Sequence, residues 1–545
     1  TACTDTPPGG GGTPDGPEGP GGGVPQPPST GGAPTPTRRT TARRAVSYDS
    51  WRFWWGYNKD ELLDLRGALR GMAGVSGGNL GVVAGYEAGG EAPPEDLTAR
   101  ALETRIVPVL RALAEDGSVN FDIQASGVLG LAKMGRREAA GLMMKQARNA
   151  GPDQVHYVVE ETAALSLGVL QDRSEAVRSF LRELAADPSA RTRTRCFAAF
   201  SLGLLADPAL PDPATRLALE ALVEAPEAKA DVPSSALIAL GLLGDPASAP
   251  RLRGWFVTGK AGGRVLPDVT LSYAAAALGR IGPSGLAEEE RREVLDALFD
   301  RIRGRGLQTR YSAVIALGQF APGCGAGMQD ECVVALASIV KGAGRSGLDR
   351  QAVNFALAAL GRIGGAKDAP PAVRDRAVQV LLGGVEDRGG SGSFAALGLA
   401  LVGRGLPEPE RIKFARPLRE LLFRMSGDYE TRGAQVLALG LLRDRESVAA
   451  LMEMLVDRGN DPALRGAAAV ALGLIGEQGA VEAVRAAIEE KEDRTLKVDA
   501  AVAAGLLRDG GAVPRLVAVL EDPKASQFAL GSAANGGVSK PSGSR

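Results

Sequence analysis

The sequence predicts an all-α chain: an α-α superhelix of about eleven stacked two-helix repeats. Three observations point there. A small-residue motif ending in Ala-Leu-Gly, or a close variant, recurs at spacings of 32 to 43 residues, and periods in that range mark helical solenoids. Aromatics make up only 4 % of the 545 residues while glycine alone counts 73, a composition that suits close-packed small helices better than a β-sandwich. No run of about 20 apolar residues is present, so no transmembrane helix is predicted.

Residues 1–45 read as a disordered Gly/Pro-rich linker, with "PPGGGGTPDGPEGPGGGVPQPP" at its centre. Such a stretch has little apolar surface to bury and stays extended. It ends in "RRTTARR", Arg38 to Arg44, either a solubilising linker end or a basic contact for an anionic surface. The opening "TAC" fits the end of a bacterial lipoprotein box with Cys3 as the lipidated residue. Ordinary secretion after signal removal is the other reading. Both place the chain outside the cytoplasm, in the periplasm or cell envelope.

Residues 46–96 hold a cap helix and a Gly-rich loop. Three of the four tryptophans, Trp51, Trp54 and Trp55, stand in "WRFWWGYNKDELL". With Leu62, Leu65 and Leu69 they fall near one helix face. A terminal solenoid repeat leaves an apolar flank bare, so terminal units are atypical. The expectation is an N-terminal cap laid over the first repeats; the alternative is an exposed aromatic platform for a partner. The loop that follows lacks the Gly-Lys-Ser/Thr end of a phosphate loop.

Residues 97–530 are the repeat array, and 531–545 a disordered tail. The anchoring glycines are Gly130, Gly168, Gly203, Gly241, Gly279, Gly318, Gly361, Gly398, Gly440, Gly473 and Gly505. Each unit reads as two helices. Asp-Pro at 245–246, 461–462 and 522–523 marks turns, because proline bars helix from the residue before it and suits a helix start. The Ala and Gly of the motif admit a neighbouring helix at short range. The units near Gly318 and Gly398 have longer, Gly-rich connections.

A second recurrence stands eight residues before the anchor: Arg195, Arg310, Arg432, Arg465 and Lys497. Four residues before three of these come Asp428, Asp461 and Asp493. An Asp at the turn can cap the free N–H groups of the second helix, and the cation can pair with it or with the next repeat's Asp. The structural reading is an acid–base ladder; the functional one is a basic ridge.

The chain is poor in catalytic side chains. It has one histidine, His156, and four cysteines, Cys3, Cys196, Cys324 and Cys332. One histidine cannot build the two-histidine sites common in zinc and di-iron chemistry. His156 and Glu160 share a helix face at i, i+4, with Glu161 beside them, and read as a surface ion pair rather than a single-metal site or an acid–base pair. Cys324 and Cys332 read as a disulfide or as two thiols; Cys196 reads as a small core residue. Lys+Arg 63 against Asp+Glu 64 gives a net charge of −1, which leaves no global field for nucleic acid. No cofactor, metal or small-molecule substrate is expected, and a membrane only through Cys3.

"DPALRGAAAVALGLIG", Asp461 to Gly476, resembles HEAT repeats, closest to the short variety named after phycobilisome lyases. The resemblance runs from about 97 to 530. It implies an α-α superhelix used mainly to bind proteins, with second helices lining the concave face. That places Tyr273, Tyr311, Phe355 and Gln435, with Arg195 and Arg310, as candidate partner contacts. The Trp51–Asp60 segment resembles the W-x-x-W-W-x-x-N-K start of envelope-associated HEAT-repeat proteins of planctomycete-like bacteria. The function expected is a non-enzymatic scaffold for a protein or peptide. An enzyme or chromophore-attachment relative of the lyases, and a tethered structural envelope protein, are the alternatives.

Overall fold

The structure is a computed structural model that describes residues 50–63, 107–150, 154–207, 210–226, 229–304, 306–342, 350–386, 391–424, 429–490, 494–512 and 515. The chain divides into two units, Thr1–Ser47 and Tyr48–Arg545, and the described residues belong to the second. The predicted linker and tail, Cys3, Leu65, Leu69, Asp428, Asp493 and the Asp522–Pro523 turn lie outside them.

Twenty-three α-helices are present among the described residues. The first, α1 (Trp51–Leu63), stands alone. The rest form eleven pairs, the number the motif predicts. They begin α2 (Val107–Glu115) with α3 (Phe121–Lys133), α4 (Ala140–Arg148) with α5 (Tyr157–Val169), and α6 (Glu175–Ala186) with α7 (Thr192–Leu204). Next come α8 (Pro213–Glu224) with α9 (Asp231–Leu243), α10 (Ala249–Thr258) with α11 (Asp268–Ile281), and α12 (Glu288–Ile302) with α13 (Leu307–Phe320). They continue with α14 (Ala326–Lys341) and α15 (Arg350–Gly364), α16 (Pro371–Val385) and α17 (Gly392–Gly403), and α18 (Glu408–Phe423) and α19 (Tyr429–Leu441). The last are α20 (Val448–Val456) with α21 (Pro462–Ile475) and α22 (Val481–Glu489) with α23 (Arg494–Leu507).

Every second helix packs on the second helix of the next pair, and the first helices meet one another more sparsely. The anchoring glycine sets the spacing of the inner layer. A Cβ on Gly203 would stand 2.8 Å from the Ala239 Cα, and one on Gly318 would stand 2.7 Å from the Ala359 Cα. The receiving residue lies two places before the next anchor: Gly168 meets Ser201, and Gly203, Gly241, Gly279, Gly318, Gly440 and Gly473 each meet an alanine there, whereas Gly130 meets Leu110 of its own repeat. One predicted anchor is corrected by this rule. Gly361 meets Gly398 itself, so Gly398 is the receiving residue and Ala400 stands at the anchor position. The string Ala-Ala-Leu-Gly recurs there two residues out of register.

Turn chemistry closes the units. Asp461 caps α21 by accepting from Ala463 N at 2.9 Å, with Pro462 at the first helical position. Gly244 and Gly476 end α9 and α21 in the left-handed conformation, the usual glycine stop. Asp245–Pro246 opens a short 3-10 turn into α10 rather than the second helix of a pair. One element escapes the sequence reading: a hairpin of two-residue strands, β1 (Lys260–Ala261) and β2 (Arg264–Val265), between α10 and α11. Gly262 and Gly263 take positive φ at its turn, the geometry two-residue hairpins require. Cys324 and Cys332 are buried free thiols, and Cys196 is half-buried against the core.

Candidate partner-binding face

Helix α17 explains why α1 stands apart. Its sequence, "GSFAALGLALVG", carries no charge, and every residue from Gly392 to Gly403 is buried. A helix apolar all round needs cover on every side. First helices cover one side and α15 and α19 flank it. Helix α1 lies against the same three second helices, α15, α17 and α19, through the contacts that follow.

The contacts of α1 repeat about once per turn. Ser50 caps it, accepting from Arg52 N at 3.2 Å while its hydroxyl donates to a Glu430 carboxylate oxygen. Trp51 Nε1 donates to the Glu430 carbonyl at 2.7 Å. The indole lies over Gly433, where a Cβ would come within 3.0 Å of its Cζ2. Arg52 sits over the same ring, 5.6 Å from its centroid. Trp54 meets Phe394 edge to face at 6.3 Å. Asn58 Oδ1 accepts from Arg362 Nη2 at 3.0 Å, and its Nδ2 donates to the Trp54 carbonyl at 2.7 Å. Leu62 and Leu63 are buried, and Trp55 is half-buried. Aromatic pairs and buried indoles of this kind dominate helix-in-groove contacts.

This corrects the expected cap. The seat lies in the seventh to ninth repeats, not the first. Trp51, Trp54 and Leu62 do share the buried face, so the helical spacing is sound. What the local pattern cannot give is the receiving surface, formed some 300 or more residues downstream. The charge-free sequence of α17 is the one signal that points to it.

The other candidate contacts fall elsewhere. Tyr311 and Phe355 come together, rings edge to face at 5.7 Å across α13 and α15. Tyr273 is half-buried on α11. Gln435 is corrected: at 2 % exposed on α19 it offers no surface to a partner. Arg310 donates to the Gly304 carbonyl at 2.7 Å. Arg195 is buried and donates from Nε to the Ala185 carbonyl at 3.0 Å.

The acid–base ladder is corrected too. Arg465 places Nε on the Leu455 carbonyl at 2.8 Å and its two Nη groups on Glu490 at 2.8 and 2.6 Å. Asp461 caps the helix, and the partner of the cation is Glu490, at the end of the next repeat's first helix. The bidentate pair holds the Glu490 carboxyl below the usual glutamate range, chiefly through the Arg465 hydrogen bonds. Arg432 is buried on α19, and Lys497 is half-buried on α23.

His156 is the N-cap of α5, its ring stacked on Phe121 at 4.0 Å. Glu160 does not pair with it. Its carboxylate accepts from Asn149 Nδ2 at 2.8 Å and from the Thr194 hydroxyl, and lies 3.4 Å from Arg191 Nε. Glu161 faces Arg193 Nε at 3.2 Å. Burial nevertheless pushes its carboxyl above the usual range. The basic run Arg191–Arg193 is thus matched by the preceding repeat's acids. Among the described residues, no group of three His, Cys, Asp or Glu side chains converges as a metal site.

Residues 415–505 match the family described as HEAT repeats. That segment is built of HEAT repeats. In the structure the pairing of helices extends on both sides of it, from α2 to α23. No curated protein sequence shows a significant match to the chain. Among solved structures, an engineered protein is similar at 20 % identity, TM-score 0.31, over 74 % of this chain and 98 % of that one. Kap121p bound to the SUMO protease Ulp1p is similar at 15 % identity, TM-score 0.37, over 79 % of this chain. The chain spans 48 % of the length of Kap121p. Human deoxyhypusine hydroxylase is similar at 15 % identity, TM-score 0.23, over 69 % of this chain and 99 % of that one.

Proposed function

We propose that the chain is a non-enzymatic scaffold that receives a helical segment of a partner protein on its second-helix face, across α15, α17 and α19. One observation carries this reading: that face holds a helix already. Gly433 leaves room for an indole, Phe394 meets an aromatic edge three residues on, and Arg362 meets an amide seven residues on. Anchors at i, i+3 and i+7 are how amphipathic helices occupy grooves. Helix α1 is 13 residues long with Gly56 inside it. Isolated helices of that length are marginal, so α1 owes its form to the surface it lies on. We further place the scaffold in the bacterial cell envelope, on the resemblance of the tryptophan segment. Fractionation of cells expressing the native gene checks that placement; recovery with cytosolic proteins overturns it.

The face is tested with a fluorescein-labelled peptide copying residues 48–64. Trp51→Ala with Trp54→Ala should free the seat. Each truncation removes about 3–5 kcal/mol of aromatic packing from α1 docking rather than from the repeats, so the main melting transition should hold. The peptide should bind the double variant and not the unaltered chain, and Gly433→Leu added to the double variant should abolish binding. Failure of the double variant to bind the peptide sinks the reading.

A further inference from the structure

Two repeats of this chain share one frame, and only one of them has its charges filled. Arg195 and Arg465 both stand eight residues before their anchors, Gly203 and Gly473. Each donates from Nε to the carbonyl ten residues upstream, at 3.0 and 2.8 Å. The preceding N-cap positions match as well: Arg191 at φ −57°, ψ 138° and Asp461 at φ −56°, ψ 132°. So do the ends of the next first helices: Ala225 at φ −58°, ψ 118° and Glu490 at φ −60°, ψ 128°.

The fillings differ. Around Arg465, Asp461 caps α21 and Glu490 takes both Nη groups. Around Arg195 neither carboxylate exists. Arg191 stands at the cap position and gives α7 no side-chain cap, and Ala225 stands where Glu490 would be. Arg195 is only 7 % exposed, and among the described residues no hydrogen bond or ion pair closes on its Nη groups. Asp187, which feels its charge, spends Oδ1 on Ser189 N and Oγ at 2.8 and 2.6 Å. In place of the missing groups is an open cleft of about 600 Å³ lined by Pro188, Ala190, Arg191, Thr192, Arg195 and Lys229. Lys229 adds a second exposed cation, and the first N–H groups of α7 add the positive end of a helix.

We propose that this cleft is a carboxylate socket for an acidic segment of a partner protein. A Glu or Asp side chain enters as Glu490 does in its own repeat, taking the Arg195 fork bidentately. A neighbouring acid faces Lys229 and the start of α7. Guanidinium forks select planar carboxylates in this way. The site lies in the third and fourth repeats, away from the α1 seat in the seventh to ninth, so failure of either proposal leaves the other standing.

The test uses the full chain with fluorescein-labelled hexaglutamate, and hexaglutamine as the control, at low ionic strength, where exposed charges are least screened. Hexaglutamate should bind at one site. Ala225→Glu supplies the missing resident carboxylate, so it should weaken binding about tenfold while holding or raising the melting temperature. Lys229→Glu, at an exposed position, should weaken binding without touching the core. Glu490→Ala empties the second fork, as Ala225 leaves the first, and should add a second site. Binding of hexaglutamate no tighter than hexaglutamine overturns the proposal, as does unchanged affinity in both Ala225→Glu and Lys229→Glu.

Discussion

Helices α6 and α7 hold Arg195 as α20 and α21 hold Arg465, with the same backbone angles and the same carbonyl acceptor. Yet one guanidinium is closed by Glu490 and the other opens on a cleft. The comparison teaches which features build a repeat and which vary upon it. The anchoring glycine and the Nε-to-carbonyl bond are common to these two repeats because they fix helix spacing and satisfy a first-helix end. The carboxylates do not recur, because the stack closes without them.

The largest break in this comparison should come at the glycines. Gly203→Ala sets a Cβ 2.8 Å from the Ala239 Cα, whereas the nearest approach at Gly473 is 3.0 Å, to the Leu506 Cβ. Backbone yields less readily than a side chain. Gly203→Ala should cost about 3 kcal/mol and Gly473→Ala about 1 kcal/mol, read from paired denaturant melts. Equal costs would show that the spacing is not what the two repeats share.

A middling effect should separate the arginines. Arg465→Ala strands a carboxylate as well as the Leu455 carbonyl, at about 2 kcal/mol once the partial exposure of Glu490 is allowed for. Arg195→Ala loses one carbonyl bond and some packing, at about 1 kcal/mol. A double mutant cycle with Glu490→Gln should show coupling for Arg465 and none for Arg195.

The smallest effects are pH slopes, and they run in opposite directions. The folded carboxyl of Glu490 titrates below its unfolded range. Its stabilisation is therefore complete above that range and fades as pH falls through it. The advantage of the parent over Glu490→Gln should shrink on acidification. Glu161 is raised by burial against the pull of Arg193. Its ionised form lowers stability as pH rises from the unfolded pKa through the folded one. Glu161→Gln should gain on the parent over that rise. Melting temperatures at a series of pH values read both slopes.

The repeat count was legible because its signal is local: small residues at helical spacing, ended by Gly or Asp-Pro. The register at Gly398 was not, since Ala-Ala-Leu-Gly recurs there two residues early and only the Gly361 contact exposes the slip. The aromatic face of α1 was legible from Trp51, Trp54 and Leu62; its seat was not, because Gly433 and Phe394 are far along the chain. Glu490 escaped because it lies 25 residues from Arg465, across a helix boundary that no i, i+4 rule spans. The hairpin turn at Gly262 and Gly263 passed for one more Gly-rich connection.

The backbone-to-alanine seating of the second helices leaves that layer almost no slack, whereas the first helices touch through longer side chains. The stack should therefore flex like a leaf spring clamped along its inner leaf. Stretching or twisting by a bound partner would open and close the gaps between first helices while the spacing between second helices stays constant.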